Sequence, residues 1–158
     1  MIIIRKTNEL ENILQSVKNS RKSIGLVLTM GNIHQGHLSL VKKAQDNNNF
    51  VLAQDNNNFV LVTIFINPTQ FNNKSDYNSY PQTLENDVEK LNSLNCDLLY
   101  LPEIIDIYPR GLTREKLIIN YRDILCDKFR PGHFDGVTTV VDAFFNIIKP
   151  KNSYFGEK

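Results

Sequence analysis
The sequence predicts an α/β fold built on a parallel sheet, and three observations predict it. Short β-branched runs alternate along the chain with segments whose apolar residues recur three and four apart. The two longest apolar runs, Ile24–Met30 and Phe59–Ile66, are near-continuous rather than alternating, as strands buried on both faces are. No linker or shift in composition divides the 158 residues, a length that suits one domain with a full hydrophobic core.

Each element has its own signal. Ile2-Ile3-Ile4 reads as a short strand. Asn8 to Lys18 reads as a helix, because Leu10, Ile13, Leu14 and Val17 share one face and Asn8 with Glu11 resembles an N-cap and its box partner. Ile24 to Met30 is a buried strand that stops at Gly31, and a helix begins near His37 and runs through Leu38, Leu40 and Val41. Phe59 to Ile66 is the clearest strand, β-branched and aromatic and ended by Asn67-Pro68. Thr83 to Leu94 carries Leu84, Val88, Leu91 and Leu94 on one stripe, with a polar outer face. Asp97 to Leu101 is a short strand before Pro102. Val137, Val140, Val141, Phe144, Phe145 and Ile148 mark a late helix that Pro150 stops.

Composition excludes several classes of function. Lys and Arg total 18 against 17 Asp and Glu, a net charge of +1, which gives no electrostatic footprint for nucleic acid or a charged membrane surface. A hydrophobic share of 41% with 22% charged residues argues against wholesale disorder. No apolar run approaches the ~20 residues that span a bilayer. The apolar start, Met1 to Ile4, is too short for a signal-peptide core and lacks a small-residue cleavage site. Cys96 and Cys126 lie far apart with no metal-ligand spacing, so both are expected to be small buried hydrophobes. A soluble cytoplasmic protein is the expectation.

Residues 44–52, Ala-Gln-Asp-Asn-Asn-Asn-Phe-Val-Leu, are followed at once by an identical copy, 53–61. One tandem copy is not a solenoid, whose periods are longer and whose units are three or more. Only one Phe-Val-Leu can lead into Val62-Thr63-Ile64-Phe65-Ile66 as a strand. The other copy is expected to extend a helix or form a surface loop, since Asp-Asn-Asn-Asn favours caps and turns.

Chemistry concentrates where a strand gives way to a helix, in Thr29-Met30-Gly31-Asn32-Ile33-His34-Gln35-Gly36-His37. Gly31 permits a sharp turn off the strand, and Gly36 permits close approach of a ligand or another backbone. Backbone N–H groups at a helix start favour an anion such as a phosphate, and histidines can donate to its oxygens as charge builds. Ligands in open parallel sheets bind beyond the carboxyl ends of the strands, so this loop and Asn67-Pro68-Thr69-Gln70-Phe71 should face one another. On spacing alone His34 and His37 could equally be a surface histidine and a cap, and two histidines without a third ligand do not make a zinc site.

Six segments in order raise the functional reading. They are residues 29–41, Ile64 to Phe71, Tyr80-Pro81-Gln82-Thr83-Leu84, Arg130-Pro131-Gly132-His133-Phe134, Phe145 to Pro150, and Tyr154-Phe155-Gly156-Glu157-Lys158. Together they closely resemble the pantoate–β-alanine ligase family, from about residue 22 to the end. The His-x-Gly-His element alone indicates only the wider nucleotidylyltransferase superfamily. Asn-Pro-Thr-Gln-Phe and Arg-Pro-Gly-His-Phe are far more specific.

The resemblance implies a Rossmann-like ATP-binding domain that activates pantoate as an adenylate, which β-alanine then attacks to give pantothenate and AMP. It implies that Met30, Gly31, Asn32, Ile33, His34, Gln35, Gly36 and His37 line the ATP site, with His37 as the catalytic proton donor. Gly156, Glu157 and Lys158 match a second ATP-binding strip, Gln70 the pantoate and β-alanine position, and Mg2+ would accompany ATP. Asp87 matches an acidic helix position near the family's metal region, with a solvated helix face as the plainer reading. Arg130 to Phe134 reads mainly as a rigid turn against the site. A homodimer is expected from the family habit, with no surface identified for it.

The chain also departs from the family pattern. Leu28 stands where proline is usual, and Asn32 where a small apolar residue is common. The nine-residue copy falls between the two site loops and could misregister the strand that carries Gln70. The family continues past Gly-Glu-Lys into further ATP and pantoate contacts and a second domain. The expectation is therefore one domain, residues 1–158, truncated at its C-terminal end. It is either part of an active ligase or a catalytically inactive remnant that retains at most nucleotide binding. A different small nucleotidylyltransferase complete at this length is a third reading.

Overall fold
A computed structural model of the chain describes residues 1–46, 58–112 and 132–156. Its elements run β1 (Ile2–Ile4), α1 (Thr7–Asn19), β2 (Ser23–Thr29), α2 (Gln35–Asp46), β3 (Asn58–Ile64), a 3-10 turn (Pro68–Gln70), α3 (Lys74–Asn78), α4 (Leu84–Ser93), β4 (Leu98–Tyr100), α5 (Ile104–Ile107), α6 (His133–Ile148) and β5 (Asn152–Tyr154). The strands form one sheet in the order β1-β4-β3-β2-β5, and every pairing is parallel. The predicted α/β class is what the chain adopts.

Side-chain parity along the strands builds a core on each face. Leu26, Phe59, Leu61, Leu98 and Tyr100 point to one side, where Leu10 and Val17 of α1, Ile107 of α5, and Val140, Phe144 and Ile148 of α6 cover them. Val27, Val60, Val62 and Leu99 point to the other, under Val41 and Ala44 of α2 and Leu91 of α4. Burial on both faces is why these strands read as continuous apolar runs. It also fixes register, because a one-residue slip would exchange the two faces.

The duplication leaves that register intact. β3 uses the second copy, with Phe59 opposite Ile24 and Val62 opposite Val27. The first copy contributes Ala44, Gln45 and Asp46 to the end of α2, as a helix extension, and Ala44 is fully buried. Residues 47–57 lie outside the described residues.

Several boundaries differ from the sequence expectation. Asn8 is not the N-cap: α1 begins at Thr7 after Lys6, and Asn8 instead accepts the Glu9 N–H at 2.9 Å. Tertiary contacts fix that start, since the Thr7 hydroxyl bonds both Tyr100 Oη (2.8 Å) and Asp106 Oδ1 (2.7 Å). β3 ends at Ile64 rather than Ile66, because its partner β2 turns away after Thr29, whose carbonyl takes the Phe65 N–H at 3.0 Å. Besides the 3-10 turn, three short elements went unpredicted. α3 starts where Asn73 caps the Ser75 N–H, α5 where Asp106 accepts from Glu103, and β5 is drawn into the sheet by β2.

Strand order places the site. The chain steps from β2 to β3 to β4 in one direction, then returns to set β5 on the far side of β2. The order therefore reverses at β2, and the loops that follow β2 and β3 leave the sheet side by side at its carboxyl edge.

Candidate active site
The loop after β2 is held from three sides. Thr29 Oγ1 donates to the Thr63 carbonyl (2.8 Å) and accepts the Gly31 N–H (3.1 Å). Gly31 turns the chain at φ +85°, and a Cβ there would lie 3.2 Å from both Asp87 Oδ2 and Ile64 Cγ2. Asn32 follows at φ +50°, a left-handed conformation that asparagine tolerates far better than an apolar residue does. That accounts for asparagine at this position. Ile33 is buried and anchors the turn from below.

Asp87 contradicts its assignment to a solvated face. It is 1% exposed, with Oδ1 accepting the Ile33 N–H at 2.7 Å and Oδ2 the Asn32 N–H at 2.9 Å. Thr83 Oγ1 also bonds Oδ2 at 3.2 Å, and Lys90 Nζ donates to the Ile33 carbonyl at 2.6 Å. The clue was in the spacing: Asp87 lies three residues after Leu84 and four before Leu91, on the apolar stripe itself.

α2 begins at Gln35, two residues earlier than predicted, because His34 caps it. The Gly36 N–H donates to His34 Nδ1 at 3.1 Å, and the His34 N–H makes a long contact to His37 Nδ1 at 3.5 Å. The rings lie 4.1 Å apart. An accepting Nδ1 leaves the proton of a neutral imidazole on Nε2, so each ring can present an N–H donor outward. What approaches Gly36 is thus the His34 ring, whose Cε1 would sit 2.9 Å from any Cβ. His37 is half-buried and its pKa is lowered from 6.5, first by burial and then by His34, with Asp87 opposing.

The loop after β3 is locked by one amide. Asn67 Oδ1 accepts from Tyr108 Oη (2.7 Å), Thr69 Oγ1 (3.0 Å) and Thr69 N–H (3.2 Å), while Nδ2 donates to the Gly136 carbonyl (3.1 Å). Next to it, His133 Nδ1 donates to the Gln70 carbonyl at 3.0 Å. His133 thus braces the site loop from the first turn of α6, rather than from a turn outside any helix. Arg130 and Pro131 lie outside the described residues.

The two loops do face one another. Met30, Gln70, Phe71, Tyr80 and His133 line one cavity of about 380 Å3. Met30, Gly31, Tyr77, Thr83 and Asp87 line an adjoining one of about 590 Å3, and Met30 and Pro81 border both. Burial and then Asp87 raise the Tyr80 pKa. Among the described residues His34 and His37 line neither cavity; they stand at the start of α2. Gly156 follows β5 and is exposed, whereas Glu157 and Lys158 lie outside the described residues. No cluster of three or more His, Cys, Asp or Glu among the described residues could hold a metal, and no described helix is long and apolar enough to cross a membrane. A groove of about 780 Å3 at the opposite end of the sheet gathers Lys18, Arg21, Lys22, Lys149 and Lys151 where α1 and α6 end. Cations suit those helix C-termini without any ligand.

A family model described as Pantoate-beta-alanine ligase matches residues 2–158. The chain belongs to the pantoate–β-alanine ligase family. Pantothenate synthetases of Thermodesulfovibrio yellowstonii and Fervidobacterium nodosum are each 42% identical over 158 residues, covering 100% of this chain and 53% of theirs. The crystal structure of the pantoate-beta-alanine ligase from Francisella tularensis, complexed with beta-gamma ATP and beta-alanine, matches with a TM-score of 0.85. Identity there is 43%, over 97% of this chain and 55% of that one. Pantothenate synthetase from Thermus thermophilus gives 0.83 at 37% identity, over 100% of this chain and 52% of that one. The chain spans about half the length of the curated relatives it matches.

In this member of the pantoate–β-alanine ligase family, sequence reasoning passed over Asn67, Tyr108, Gly136 and Lys90. Buried Asn67 was legible only as part of a motif. Tyr108 and Gly136 reach it from far along the chain, which no local pattern signals.

Proposed function
We propose that the chain carries the ATP- and pantoate-binding part of an ATP-dependent ligase that joins (R)-pantoate to β-alanine. The observation that carries this reading is the shared cavity: Met30 and Gln70, from the loops after the adjacent strands β2 and β3, line one space beyond the carboxyl ends of those strands. Membership of the family supports it, and so does the complex of the Francisella tularensis relative with an ATP compound and β-alanine.

A pantoate carboxylate oxygen attacks the α-phosphorus of ATP, and the bond to pyrophosphate breaks. The amine of β-alanine then attacks the acyl carbon of the adenylate, loses a proton and expels AMP. The carboxylate is itself the nucleophile, so no activated serine or cysteine is needed. His34 and His37 donate through Nε2–H to phosphate oxygens as negative charge develops, with His37 the proton donor. The amide of Gln70 can donate to one oxygen of a hydroxy acid and accept from another. Gly156, Glu157 and Lys158 supply the second ATP strip, Lys158 by its charge. Mg2+ would enter with ATP and neutralise phosphate charge. Both Asp87 oxygens are occupied by N–H groups, which fits an ion held through phosphates and waters. A homodimer belongs to the same reading.

The test is AMP release from ATP-Mg by the purified chain, with calorimetry of ATP-Mg alongside. AMP that forms only when both pantoate and β-alanine are present supports the ligase. Nucleotide binding without turnover would leave the inactive remnant, a reading that the half-length match makes worth separating. Neither binding nor turnover would sink the proposal.

A further inference from the structure
We propose that Asp87 is a positioning residue of the nucleotide site, acting through the Asn32–Ile33 turn rather than on the nucleotide. The inference rests on reading the cleft as an ATP site. A buried carboxylate beside an anion-binding loop is costly unless its charge is answered by donors. Here the donors are the loop's own backbone. Gly31 and Asn32 both have positive φ, and the N–H groups of Asn32 and Ile33 converge on the two oxygens of Asp87.

α4 therefore holds the turn from both sides of one residue. Asp87 takes the Ile33 N–H and Lys90 holds the Ile33 carbonyl, while Thr83 steadies Asp87 from the helix start. Residues 83, 87 and 90 share one helix face. His34 follows Ile33 directly, so the cap on α2 and the adjacent, mutually tilted His34 and His37 rings inherit their place from this grip. Among the described residues, the charged and titratable groups that act on His37 are His34 on its own segment and Asp87 from α4, and Asp87 also acts on Tyr80.

Asp87→Asn keeps the shape, removes the charge and turns one acceptor into a donor. The full chain has three histidines, so their ring signals can be followed individually by NMR against pH. A positioning role gives a cooperatively melting variant with displaced Asn32 and Ile33 amide signals and a His37 midpoint below the parent's. It also weakens ATP-Mg binding on the order of 10- to 100-fold, the range for groups that orient those touching a ligand. A folded Asp87→Asn chain that binds ATP-Mg like the parent overturns the proposal. Should that variant not melt cooperatively, Lys90→Met, with the carboxylate in place, faces the same measurements of amides and affinity, and unchanged values overturn it too. A parent chain that fails to bind ATP-Mg defeats the reading of the cleft instead. The amide and His37 shifts then decide alone whether Asp87 positions the turn.

Discussion

Gly136 lies directly against the backbone of Thr69: a Cβ on Gly136 would fall 2.8 Å from the Thr69 carbonyl carbon and closer still to its oxygen. α6 and the 3-10 turn that carries Gln70 thus touch backbone to backbone, and the Asn67 amide bridges the same seam to the Gly136 carbonyl. Gly136→Ala has no flexible neighbour to displace. We expect a loss of about 1–3 kcal/mol, as for overpacking at a rigid contact. Chemical denaturation measures it, and on the proposed ligase reading pantoate affinity should fall as well because Gln70 moves with the turn. A variant as stable as the parent would contradict the seam.

Asn67 serves four bonds and Tyr108 one of them. Asn67→Ala leaves the Gly136 carbonyl, the Thr69 N–H and the Tyr108 hydroxyl without this partner, and should cost about 2–3 kcal/mol. Tyr108→Phe removes that donor and the 3.0 Å contact of its hydroxyl with Thr69 Oγ1, while the Asn67 amide keeps its other partners, and should cost about 1 kcal/mol. Equal losses in urea titrations of the two variants would show that the amide is not the centre of the network.

Thr63 is fully buried, and among the described residues its Oγ1 has no hydrogen-bond partner. Thr63→Val keeps the shape and removes the unanswered hydroxyl. Stability should rise by about 0.5–2 kcal/mol, read as an upward shift of the thermal midpoint. A lower midpoint would mean the hydroxyl is satisfied in solution.

The folded state holds His37 below its ordinary 6.5, chiefly through burial and secondly through His34. The unfolded chain therefore takes up its proton first as pH falls. The stabilising contribution is complete above pH 6.5 and is lost as pH drops through the lower folded value. Denaturation midpoints of parent and His37→Ala should converge in that acidic window. At neutral pH the substitution should lower turnover by roughly 10²-fold or more while changing stability by under about 1 kcal/mol. Undiminished turnover would remove His37 from the mechanism.

Deleting residues 47–55 restores a single copy of the nine-residue repeat and leaves Asn56 and Asn57 between α2 and β3. Helix-to-strand connections of about two to six residues are ordinary, so β3 should keep its register on β2. Denaturation should place the deletion variant within about 1 kcal/mol of the parent, since loop length acts only logarithmically. A collapse of stability would show that the inserted residues are part of the fold.

Much of this was legible from local pattern. Continuous apolar runs gave β2 and β3, and the rule for strand ends put Met30 and Gln70 in one space. Asp87 was misjudged because charge outweighed spacing: its place between Leu84 and Leu91 already put it on the inward stripe. The cap on α1 failed for a different reason. Thr7 answers to Tyr100 and Asp106, which lie near it only after folding. Asn67 and Gly136 meet in the same way. Their bond is a product of topology, and no window of sequence contains both partners.

The pairing of β2 with β5 has a consequence for biogenesis. Gly25 lies opposite Asn152, so β2 leaves the ribosome long before its partner β5 and waits for most of the described chain to follow. β3 and β4 can dock earlier, on a sheet whose other edge is still open. Non-local closure of this kind is slow, and an exposed strand edge invites wrong partners in the interval. Among the described strands β5 is the last to be made, and any nascent chain stalled before residue 152 leaves that edge of β2 unpaired.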